Sequence, residues 1–353
     1  MKVAVVGAGV LGSVIAWRLA EAGAEVQVYD PSPGVGASGG SLAWLNASFA
    51  DDPVYNRLRH DSLQIWAELK EQNPELPIIF SGAILWEQEH FDLPKIHASQ
   101  QDLGRPARML DRNAHLSAEP EVPEPPEQTL ALDADGYGNP LEITAWFQAM
   151  AKAEGATFVA ADVTGLQVEE GRVTGVQTAE RTIATEAVVL AAGVKLAELL
   201  EPLNLRMAMD NQPGLLVTTS PAPMAIRAML ATDGLHGWQG PDGRYLIGAD
   251  FGGGTEFGDT EGFAAKLVER LGDLIPSAAG RSVEKITVRE RPMPADGRPA
   301  IGTIGPTGLY AVCTHSGMTL APVIGAMVAY EVVGGDIDPR LIPYRPDREA
   351  LQS

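Results

Sequence analysis

The chain has 353 residues, 45% of them hydrophobic and 20% charged, and this length predicts two lobes rather than one simple core. Its formal net charge of −20 argues against nucleic acid and anionic membrane surfaces as partners, because both attract positive charge. A single cysteine, Cys313, excludes an intramolecular disulfide and a multi-cysteine metal site.

The first thirty residues combine a strand, a glycine-rich turn, a helix and a second strand. The apolar run 3–6 leads directly into Gly7, Gly9 and Gly12, which have the spacing GxGxxG. In such a turn the glycines permit a tight bend, close approach of a pyrophosphate and close packing of helix on strand. Asp30, eighteen residues after Gly12, can accept hydrogen bonds from ribose hydroxyls. This context predicts a dinucleotide site; the alternative is a glycine-rich turn in an unrelated α/β domain.

The next stretch, residues 31–41, is rich in glycine and serine, so many of its backbone N–H groups are accessible. A helix is predicted from about 54 to 72, because apolar residues recur there at i, i+3 and i+4, and its expected role is packing. In residues 80–140 the spacing of apolar residues is less regular, so the sequence predicts no clear helix or strand there. We interpret the acidic, proline-rich segment 119–127 as a solvated connector.

The middle of the chain alternates between two patterns. A helix over 141–154 ends at Gly155, and 188–193 is an apolar strand of the kind found inside parallel sheets. Residues 169–172 are typical of a hairpin turn. The other predicted elements are strands at 157–161 and 172–178, an antiparallel group at 215–219, 236–238 and 244–248, and a helix at 262–274.

The chain ends with a strand at 309–313, a short loop, and an apolar helix over 320–333 that stops at Gly334. Parallel βα elements therefore open the chain, recur in the middle and return at the end. We predict an α/β fold in which a Rossmann-like lobe is built from discontinuous segments and an antiparallel-sheet (α+β) lobe is inserted. The expected bounds are 1–82, 140–205 and 290–353 for the first lobe, and 83–139 and 206–289 for the second.

Five landmarks follow one another along nearly the full length of the chain. They are the turn 7–12 with Asp30, the loop 36–41, the tripeptide 191–193, the segment 289–297 and the segment 315–322. In this order and spacing the chain resembles the superfamily of FAD-dependent D-amino-acid oxidases, glycine oxidases and sarcosine oxidases. The resemblance implies that the first lobe binds FAD and that the second lobe faces the substrate.

The resemblance also implies which residues hold FAD. The loop 37–41 would lie along the pyrophosphate and ribityl chain, where small residues allow backbone N–H contact and serine hydroxyls add donors. Val163 would clamp the adenine edge through its main chain, although an ordinary strand valine is an equal alternative. Gly193 would face the cofactor, and a strand-end turn is compatible with it. The implied FAD-binding residues are Gly7, Ala8, Gly9, Val10, Leu11, Gly12, Asp30, Ala37, Ser38, Gly39, Ser41, Val163, Ala192, Gly193, Ser316, Gly317, Met318, Thr319 and Leu320.

The C-terminal landmark has its own physical reading. Gly317, Met318 and Thr319 precede an apolar helix, so their N–H groups and the helix dipole point at whatever lies in front. In the resembling family that is the pyrimidine edge of the isoalloxazine, where negative charge accumulates when the flavin accepts a hydride. The alternative is a capped structural helix.

Arg291 is the first candidate for substrate recognition. The resembling family places an arginine in this segment to bind a substrate carboxylate, and a guanidinium can do so bidentately. Here Glu290 precedes it and the family's glycine-containing run-up is absent. A structural ion pair with Glu290 is therefore the alternative.

Further candidates surround this position if the resemblance holds. His315 would orient the substrate or help to deprotonate an ammonium, and the alternative is a hydrogen bond to backbone or flavin oxygen. His236 and Tyr245 on the antiparallel lobe, and Trp44 and Asn46 after the serine loop, would line the substrate face. For each of these four, packing is the favoured alternative. The catalytic candidates are Arg291, His315, His236 and Tyr245.

Two features of the resembling family are absent. Residues 42–45 hold no histidine of the kind that attaches FAD covalently in some relatives, so non-covalent FAD is expected. Residues 244–248 hold no lysine such as monomeric sarcosine oxidases use to promote reaction with oxygen. The electron acceptor is therefore left open between oxygen, a quinone and a protein.

The resemblance implies a flavoenzyme that oxidises the C–N bond of an amine or amino acid, by hydride transfer from the α-carbon to flavin N5 and hydrolysis of the imine, with no metal. The closest alternative is a flavin monooxygenase or halogenase, which carries a Gly-Asp-Ala-type motif where this chain has residues 314–317. A flavin-binding subunit without its own substrate and a simple NAD dehydrogenase are the others. Without a signal-peptide pattern or a bilayer-length apolar run, a cytoplasmic protein with no membrane span is expected, and an oligomer is compatible with the sequence.

Overall fold

The computed structural model describes residues 1–48, 51–86, 91–249 and 258–352. Within these ranges the helices are α1 (Val10–Glu21), α2 (Pro53–Gln72), α3 (Leu93–Asp102), α4 (Arg112–Ala118), α5 (Pro140–Ala153), α6 (Leu196–Leu200), α7 (Thr260–Leu274) and α8 (Gly317–Gly334). The strands are β1 (Lys2–Val6), β2 (Glu25–Tyr29), β3 (Ala83–Leu85), β4 (Ala107–Asp111), β5 (Gln128–Leu132), β6 (Thr157–Val159), β7 (Val163–Glu169), β8 (Arg172–Thr178), β9 (Thr182–Ala184), β10 (Ala187–Leu190), β11 (Gln212–Thr219), β12 (Met229–Thr232), β13 (Leu235–Gln239), β14 (Tyr245–Gly248), β15 (Val283–Arg291), β16 (Ala300–Thr303) and β17 (Leu309–Cys313).

A six-stranded sheet forms the centre of the first lobe, in the order β16-β17-β10-β1-β2-β6. Its strands pair in parallel except for β16, which is antiparallel at one edge. Val3 and Val5 of β1 pack into the core formed with α1 and α8, whereas Ala4 and Val6 face the core on the other side. Because both faces are covered, the central strands β1, β10 and β17 are apolar over nearly their whole length and show no alternation in sequence.

The second face of this sheet is covered by a three-stranded antiparallel sheet, β7-β8-β9. Its first two strands are joined at Glu170 and Gly171, whose φ angles of 50° and 74° are the left-handed values of a tight hairpin turn. The hairpin predicted at 169–172 is confirmed. Val163, the first residue of β7, packs in the same buried cluster as Ala4 and Val6 of β1.

The second lobe is an eight-stranded sheet, in the order β15-β11-β14-β13-β12-β3-β5-β4. The pairs are antiparallel except for β12 with β3. One face packs on α7, and the other carries a cluster that includes Trp44 and Trp238. The two large sheets confirm the predicted fold class. The exact lobe boundaries stay a prediction, and β15 crosses the expected boundary near residue 290.

Two expectations about residues 80–140 need correction. The stretch contains β3, α3, β4, α4 and β5, which are too short to give a clear periodic signal. The acidic segment is not entirely solvated, because Glu119 is buried and its carboxylate accepts the N–H groups of Arg227 and Ala228 at 3.1 and 2.8 Å. Burial raises the pKa of Glu119, and these backbone bonds oppose that effect. The glutamate therefore ties the connector to the second lobe.

Helix α8 begins at Gly317, three residues before the predicted start, so the proposed N–H donors lie within its first turn. By length and composition it could cross a membrane, contrary to the expectation from the sequence, but 67% of it is buried inside the protein. It packs against α1, where a Cβ on Gly325 would lie 2.7 Å from a methyl group of Val14. In this structure α8 is a core helix whose N-terminus faces the cavities described next.

Candidate functional site

The turn between β1 and α1 has two positions, Gly7 and Gly12, that accept only glycine, and a third, Gly9, where a side chain would displace Ser38. Gly7 has a φ of 102°, and a Cβ there would collide with the Ala191 carbonyl group. A Cβ on Gly12 would overlap the Gly7 carbonyl oxygen, and one on Gly9 would lie 2.9 Å from Ser38 Oγ. The tight turn and the close helix–strand packing inferred from the glycine spacing are confirmed.

The start of α1 faces a cavity of about 140 Å³, called the inner cavity, which is bounded by Gly9, Asp30, Ser38 and Gly193 among others. Gly9, at the N-cap, supplies no side-chain acceptor, and Ser38 Oγ accepts the Val10 N–H at 2.9 Å. Unsatisfied N–H groups at a helix N-terminus favour an anion. The glycine-lined approach and this helix start fit a diphosphate.

Asp30 borders the inner cavity. Its Oδ2 accepts the Ala8 N–H at 2.7 Å, and its Oδ1 accepts the Ser32 N–H at 2.7 Å. These two bonds fix the carboxylate while each oxygen keeps a lone pair for another donor. The side chain is therefore placed to accept hydroxyl groups from a ligand in the cavity.

A second cavity, of about 160 Å³ and called the central cavity, continues from the first. The two share Ala37, Ser41, Pro292, His315 and Met318 along their walls. The result is one continuous cleft that runs from the start of α1 to the start of α8. A long cofactor such as FAD, whose anionic diphosphate lies between two ring systems, fits this arrangement with the diphosphate at the start of α1 and one ring in the central cavity.

The start of α8 is fixed from behind by α2. Ser62 Oγ donates to the Thr319 carbonyl oxygen at 2.6 Å, and Trp66 Nε1 donates to the same oxygen at 3.1 Å. Thr319 Oγ1 in turn donates to the Trp44 carbonyl oxygen at 3.2 Å. Ser316, at the N-cap, supplies no side-chain acceptor to the first turn. The dipole of α8 therefore points into the central cavity without a protein anion at its N-cap.

Arg291 and His315 lie together on the wall of the central cavity. Arg291 ends β15, and its guanidinium lies over Gly214 of β11, where a Cβ would be 2.7 Å from Arg291 Nε. Burial, together with the charges of Arg291 and Arg59, lowers the pKa of His315 to about 4. The imidazole is therefore neutral near pH 7.

His236 and Tyr245 have different positions, although both are buried. His236 lines the central cavity, stacked 6.4 Å from Phe91 and edge-on at 6.5 Å to Trp44. Tyr245 points to the opposite face of the sheet and packs in the core beneath α7. Burial raises the pKa of this phenol to about 12. The suggestion that Tyr245 lines the substrate face is wrong, because alternate residues of a strand face opposite sides.

Most of the residues implied to bind FAD border the two cavities. Those that do so are Gly7, Gly9, Val10, Leu11, Asp30, Ala37, Ser38, Ser41, Ala192, Gly193, Ser316, Gly317, Met318 and Thr319. Gly193 has a φ of 58°, and the space where its Cβ would stand is open toward the cleft.

Five of the implied cofactor residues do not line the cleft. Ala8 and Gly12 act behind it, through the Asp30 bond and the helix–strand contact. Gly39 packs against the Gly34 carbonyl oxygen, and its N–H donates to Gly36. Leu320 is fully buried and donates its N–H to the Ser316 carbonyl oxygen, so it belongs to the helix core. Val163 pairs with Thr178 in β7 and lies outside both cavities.

Arg59 is a cavity residue that the sequence reasoning missed. It lies on α2, is 2% exposed, and borders the central cavity. The helix was expected only to pack, and in the structure Tyr55, Ser62 and Trp66 are buried on its inward face. Arg59 falls four residues after Tyr55 and three before Ser62, so it occupies that same face. A charged residue in the middle of a predicted buried helix face was the sequence feature that could have identified Arg59 as a cavity residue.

Behind the central cavity lies a buried polar network. Trp44 Nε1 donates to Asp135 Oδ2 at 2.9 Å, and Arg105 pairs with Asp135 Oδ1 at 2.7 Å. Arg105 Nε also donates to Gln100, whose amide donates to the Ala47 carbonyl oxygen. Burial raises the pKa of Asp135 to about 6, against the lowering effect of Arg105 and Trp44. The network holds the segment 41–48 against the second lobe.

A third cavity, of about 400 Å³ and called the outer cavity, adjoins the central one. Trp44, Asn46, His315 and Ser316 border both. The placement of Trp44 and Asn46 thus supports their candidacy for the substrate face. Tyr55, Phe91 and Ile96 give the outer cavity apolar walls, and the ion pair of Lys95 with Asp51 lies at its border.

Comparisons with known proteins agree with this geometry. The sequence profile of the DAO family, described as FAD dependent oxidoreductase, matches residues 2–331. A glycine oxidase of Pseudomonas putida is 26% identical, with 98% of each chain covered. A D-amino acid dehydrogenase of Cereibacter sphaeroides is 27% identical over 91% of this chain and 89% of the relative. The crystal structure of glycine oxidase from Geobacillus kaustophilus has the same fold, with a TM-score of 0.87, 24% identity and 99% of each chain covered.

Proposed function

The chain belongs to the DAO family of FAD-dependent oxidoreductases, and from that premise we propose that it oxidises the carbon–nitrogen bond of an amine that carries a carboxylate, such as an amino acid or an N-alkyl glycine. Relatives named glycine oxidase and D-amino acid dehydrogenase support this reaction class. The observation that carries the proposal is the continuous cleft between two helix N-termini, which ends at a cavity bordered by arginine.

In this proposal the inner cavity holds the diphosphate and the central cavity holds the ring. The Val10 end of α1 and Ser38 face the diphosphate, and Asp30 accepts the ribose hydroxyls. The first turn of α8, anchored through Thr319 to α2, would stabilise the negative charge that the ring gains on reduction. No histidine lies in residues 42–45, so the FAD is held without a covalent bond.

Arg291 anchors the substrate carboxylate. Its guanidinium borders the central cavity and lies against Gly214, and a guanidinium can bind a carboxylate through two parallel hydrogen bonds. A carboxylate fixed in this way orients the α-carbon, and orientation alone supplies a large part of the rate acceleration in such reactions. The arginine acts on binding of the substrate more than on retention of the cofactor.

The bound cofactor supplies a two-electron acceptor, so the substrate loses a hydride from its α-carbon and leaves as an imine, which water hydrolyses to a carbonyl compound and an amine or ammonia. His315 is neutral at working pH, because burial and two arginines lower the pKa of its imidazole to about 4. It accepts a hydrogen bond from the substrate nitrogen rather than holding a proton. The amine therefore loses its ammonium proton to solvent on or before binding.

The acceptor that reoxidises the cofactor is oxygen, a quinone or a protein. The absence of lysine from residues 244–248 argues against rapid reaction with oxygen. A flavin monooxygenase or halogenase, a flavin-binding subunit and an NAD dehydrogenase are the competing functions. Each of these functions predicts a different electron donor for the bound cofactor of the purified protein.

An anaerobic reduction panel tests the proposal. The yellow purified protein is mixed with D- and L-amino acids, N-methyl glycine and proline, and flavin absorbance is followed. Bleaching by amines that carry a carboxylate, with imine or keto product, is expected. Reduction by NADH alone would favour a monooxygenase, and no reduction by any amine would favour a subunit without its own substrate. A colourless protein that takes up no flavin would end the proposal.

A further inference from the structure

We propose that the outer cavity is a substrate subsite for a large apolar group, so that the site selects amino acids with a bulky apolar side chain or N-substituent over glycine and N-methyl glycine. The inference rests on the proposed function, because it names the substrate class of that same oxidation. It adds a second subsite beyond the carboxylate anchor and sets the size of the substrate.

The outer cavity continues from the central cavity on the side away from the diphosphate. Trp44, Asn46, His315 and Ser316 border both of these cavities. Among the described residues, His315 alone borders both the outer and the inner cavity. The dinucleotide part of a cofactor that spans the inner and central cavities therefore does not reach the outer one. A substrate bound in the central cavity can extend into it.

The volume of the outer cavity is that of a binding pocket. It measures about 400 Å³, against about 160 Å³ for the central cavity. Pockets that bind small molecules commonly have volumes of about 300–1,000 Å³. Glycine has no side chain that could occupy this space, whereas a large apolar group would displace water from it and gain free energy. The size therefore favours a bulky substrate.

The walls of the outer cavity are apolar and largely aromatic. Tyr55 and Ile96 are each 3% exposed, and Phe91 lies on the same wall. The Trp44 ring lies edge-on to the Phe91 ring at 6.3 Å and to the His236 ring at 6.5 Å. An aromatic surface thus runs from the central cavity into the outer one. Such a surface packs well against an apolar group, and best against an aromatic ring.

The acidic and basic residues at this cavity lie on its exposed border. The side chains of Asp51 and Lys95 are 90% and 48% exposed and form an ion pair. Asp92 is also exposed, and its carboxylate caps α3 by accepting the Lys95 N–H at 3.0 Å. The described lining includes no buried aspartate, glutamate, lysine or arginine. This distribution favours an apolar substrate group over a charged one.

Two walls of the outer cavity are fixed to each other. Tyr55 lies on α2 and Ile96 on α3. Asn56 Nδ2 on α2 donates to Ser99 Oγ on α3 at 3.0 Å, which ties the two helices together. A pocket with fixed walls loses little conformational entropy when a ligand fills it, so more of the burial energy appears as affinity.

Substrate series of increasing size give the first test. The anaerobic rate of flavin reduction is measured for glycine, alanine, leucine, phenylalanine and tryptophan in both configurations, and for N-methyl, N-butyl and N-benzyl glycine. We expect kcat/KM to rise about 4-fold per buried methylene, and about 100-fold from alanine to phenylalanine or from N-methyl to N-benzyl glycine. The series that rises shows whether the group is attached to the α-carbon or to the nitrogen. A flat or falling rate in both series would overturn the inference while leaving the proposed oxidation intact.

Variants assign the preference to the outer cavity. Ile96→Phe adds volume to its wall, and we expect the advantage of the bulky substrate over the small one to fall about 10-fold or more. Ile96→Ala enlarges the cavity and is expected to raise the rate for the largest substrate relative to the next smaller one. Val333→Phe is the matched control, because Val333 is 42% exposed at the far end of α8, and it should leave the ranking unchanged. An unchanged ranking in both variants of Ile96 would refute the assignment.

A binding readout separates the possible failures. Propionate and 3-phenylpropionate carry no amine, so their affinities are measured from the perturbation of flavin absorbance in the wild-type protein, Ile96→Phe and Val333→Phe. The phenyl compound is expected to bind about 100-fold more tightly than propionate, except in Ile96→Phe, where the ratio should fall about 10-fold or more.

Each failure has its own signature in these measurements. If no amine reduces the flavin, the proposed function fails, but the two carboxylates still decide the inference, and equal affinities in the wild-type protein would refute it. The cavity could instead serve the electron acceptor. In that case Ile96→Phe would keep the substrate ranking and slow only the reoxidation of the reduced flavin by a quinone, and this result would also refute the inference.

Discussion

Gly214→Ala tests the carboxylate anchor without touching the anchor itself. Gly214 lies in β11 on the wall of the central cavity, and a Cβ there would stand 2.7 Å from Arg291 Nε and 3.0 Å from its Nη2. Ordinary van der Waals contact begins at 3.4 Å, so the guanidinium must move by several tenths of an ångström. The obstacle is the end of a flexible side chain, and the Gly214 backbone has ordinary strand dihedrals. The fold should therefore tolerate alanine, which also suits a strand better than glycine.

The expected loss follows from the geometry of a bidentate pair. A misplacement of about 1 Å costs on the order of 100-fold in rate, so a smaller shift is expected to lower kcat/KM about 10-fold, or about 1.4 kcal/mol. Because the anchor binds ground state and transition state alike, most of the loss should be in KM. Anaerobic stopped-flow reduction gives substrate affinity and limiting rate separately. FAD content and thermal midpoint should stay at wild-type values.

Two further variants serve as the positive and the negative control for Gly214→Ala. Arg291→Ala should raise KM more than Gly214→Ala does, again with FAD retained. Gly334→Ala, at the end of α8 where a Cβ would meet nothing within 4 Å, should behave as wild type. If Gly214→Ala binds the carboxylate substrate as tightly as wild type, or if Arg291→Ala has unchanged kinetics, the anchor does not lie where we propose.

The remaining predictions concern the cofactor turn and two buried titrating groups. Gly12→Ala should abolish FAD retention, because its Cβ would overlap the Gly7 carbonyl oxygen. Gly334→Ala, which lies away from the cleft and has open space around the new Cβ, should keep the yellow colour after gel filtration. Burial raises the pKa of Asp135 from 3.8 to about 6, so between these pH values the folded protein binds a proton that the unfolded chain does not. The free energy of unfolding therefore falls as pH rises from 3.8 to about 6. Urea titrations of Asp135→Asn should lack this dependence on pH. Burial lowers the pKa of His315 from 6.5 to about 4, so between these pH values the unfolded chain binds a proton that the folded protein does not. The free energy of unfolding therefore falls as pH drops from 6.5 to about 4. His315→Gln should not show this fall, and a pH dependence of its unfolding free energy parallel to that of the wild type would contradict the assignment.

The sequence allowed the cofactor cleft to be predicted in some detail. The turn at Gly7, Gly9 and Gly12 lies where it was expected, and so do the start of α8 and the hairpin at 169–172. The prediction was weaker for the second lobe, where β3, α3, β4, α4 and β5 are short and carry little periodic signal. It erred for Tyr245, because a four-residue strand gives no reliable indication of which face meets the cavity.

The sequence alone determined those parts of the structure that depend on steric contacts between neighbouring residues. A left-handed φ at Gly7, a carbonyl oxygen in the way of any Cβ at Gly12, and an apolar helix after Gly317 are constraints on neighbouring residues, so they can be read in chain order. Tertiary structure alone decided which charged groups meet. Trp44 and Asp135 are 91 positions apart, and Arg59 reaches the cavity only because α2 packs under the start of α8. Burial of charge depends on packing between distant segments, which no local pattern encodes.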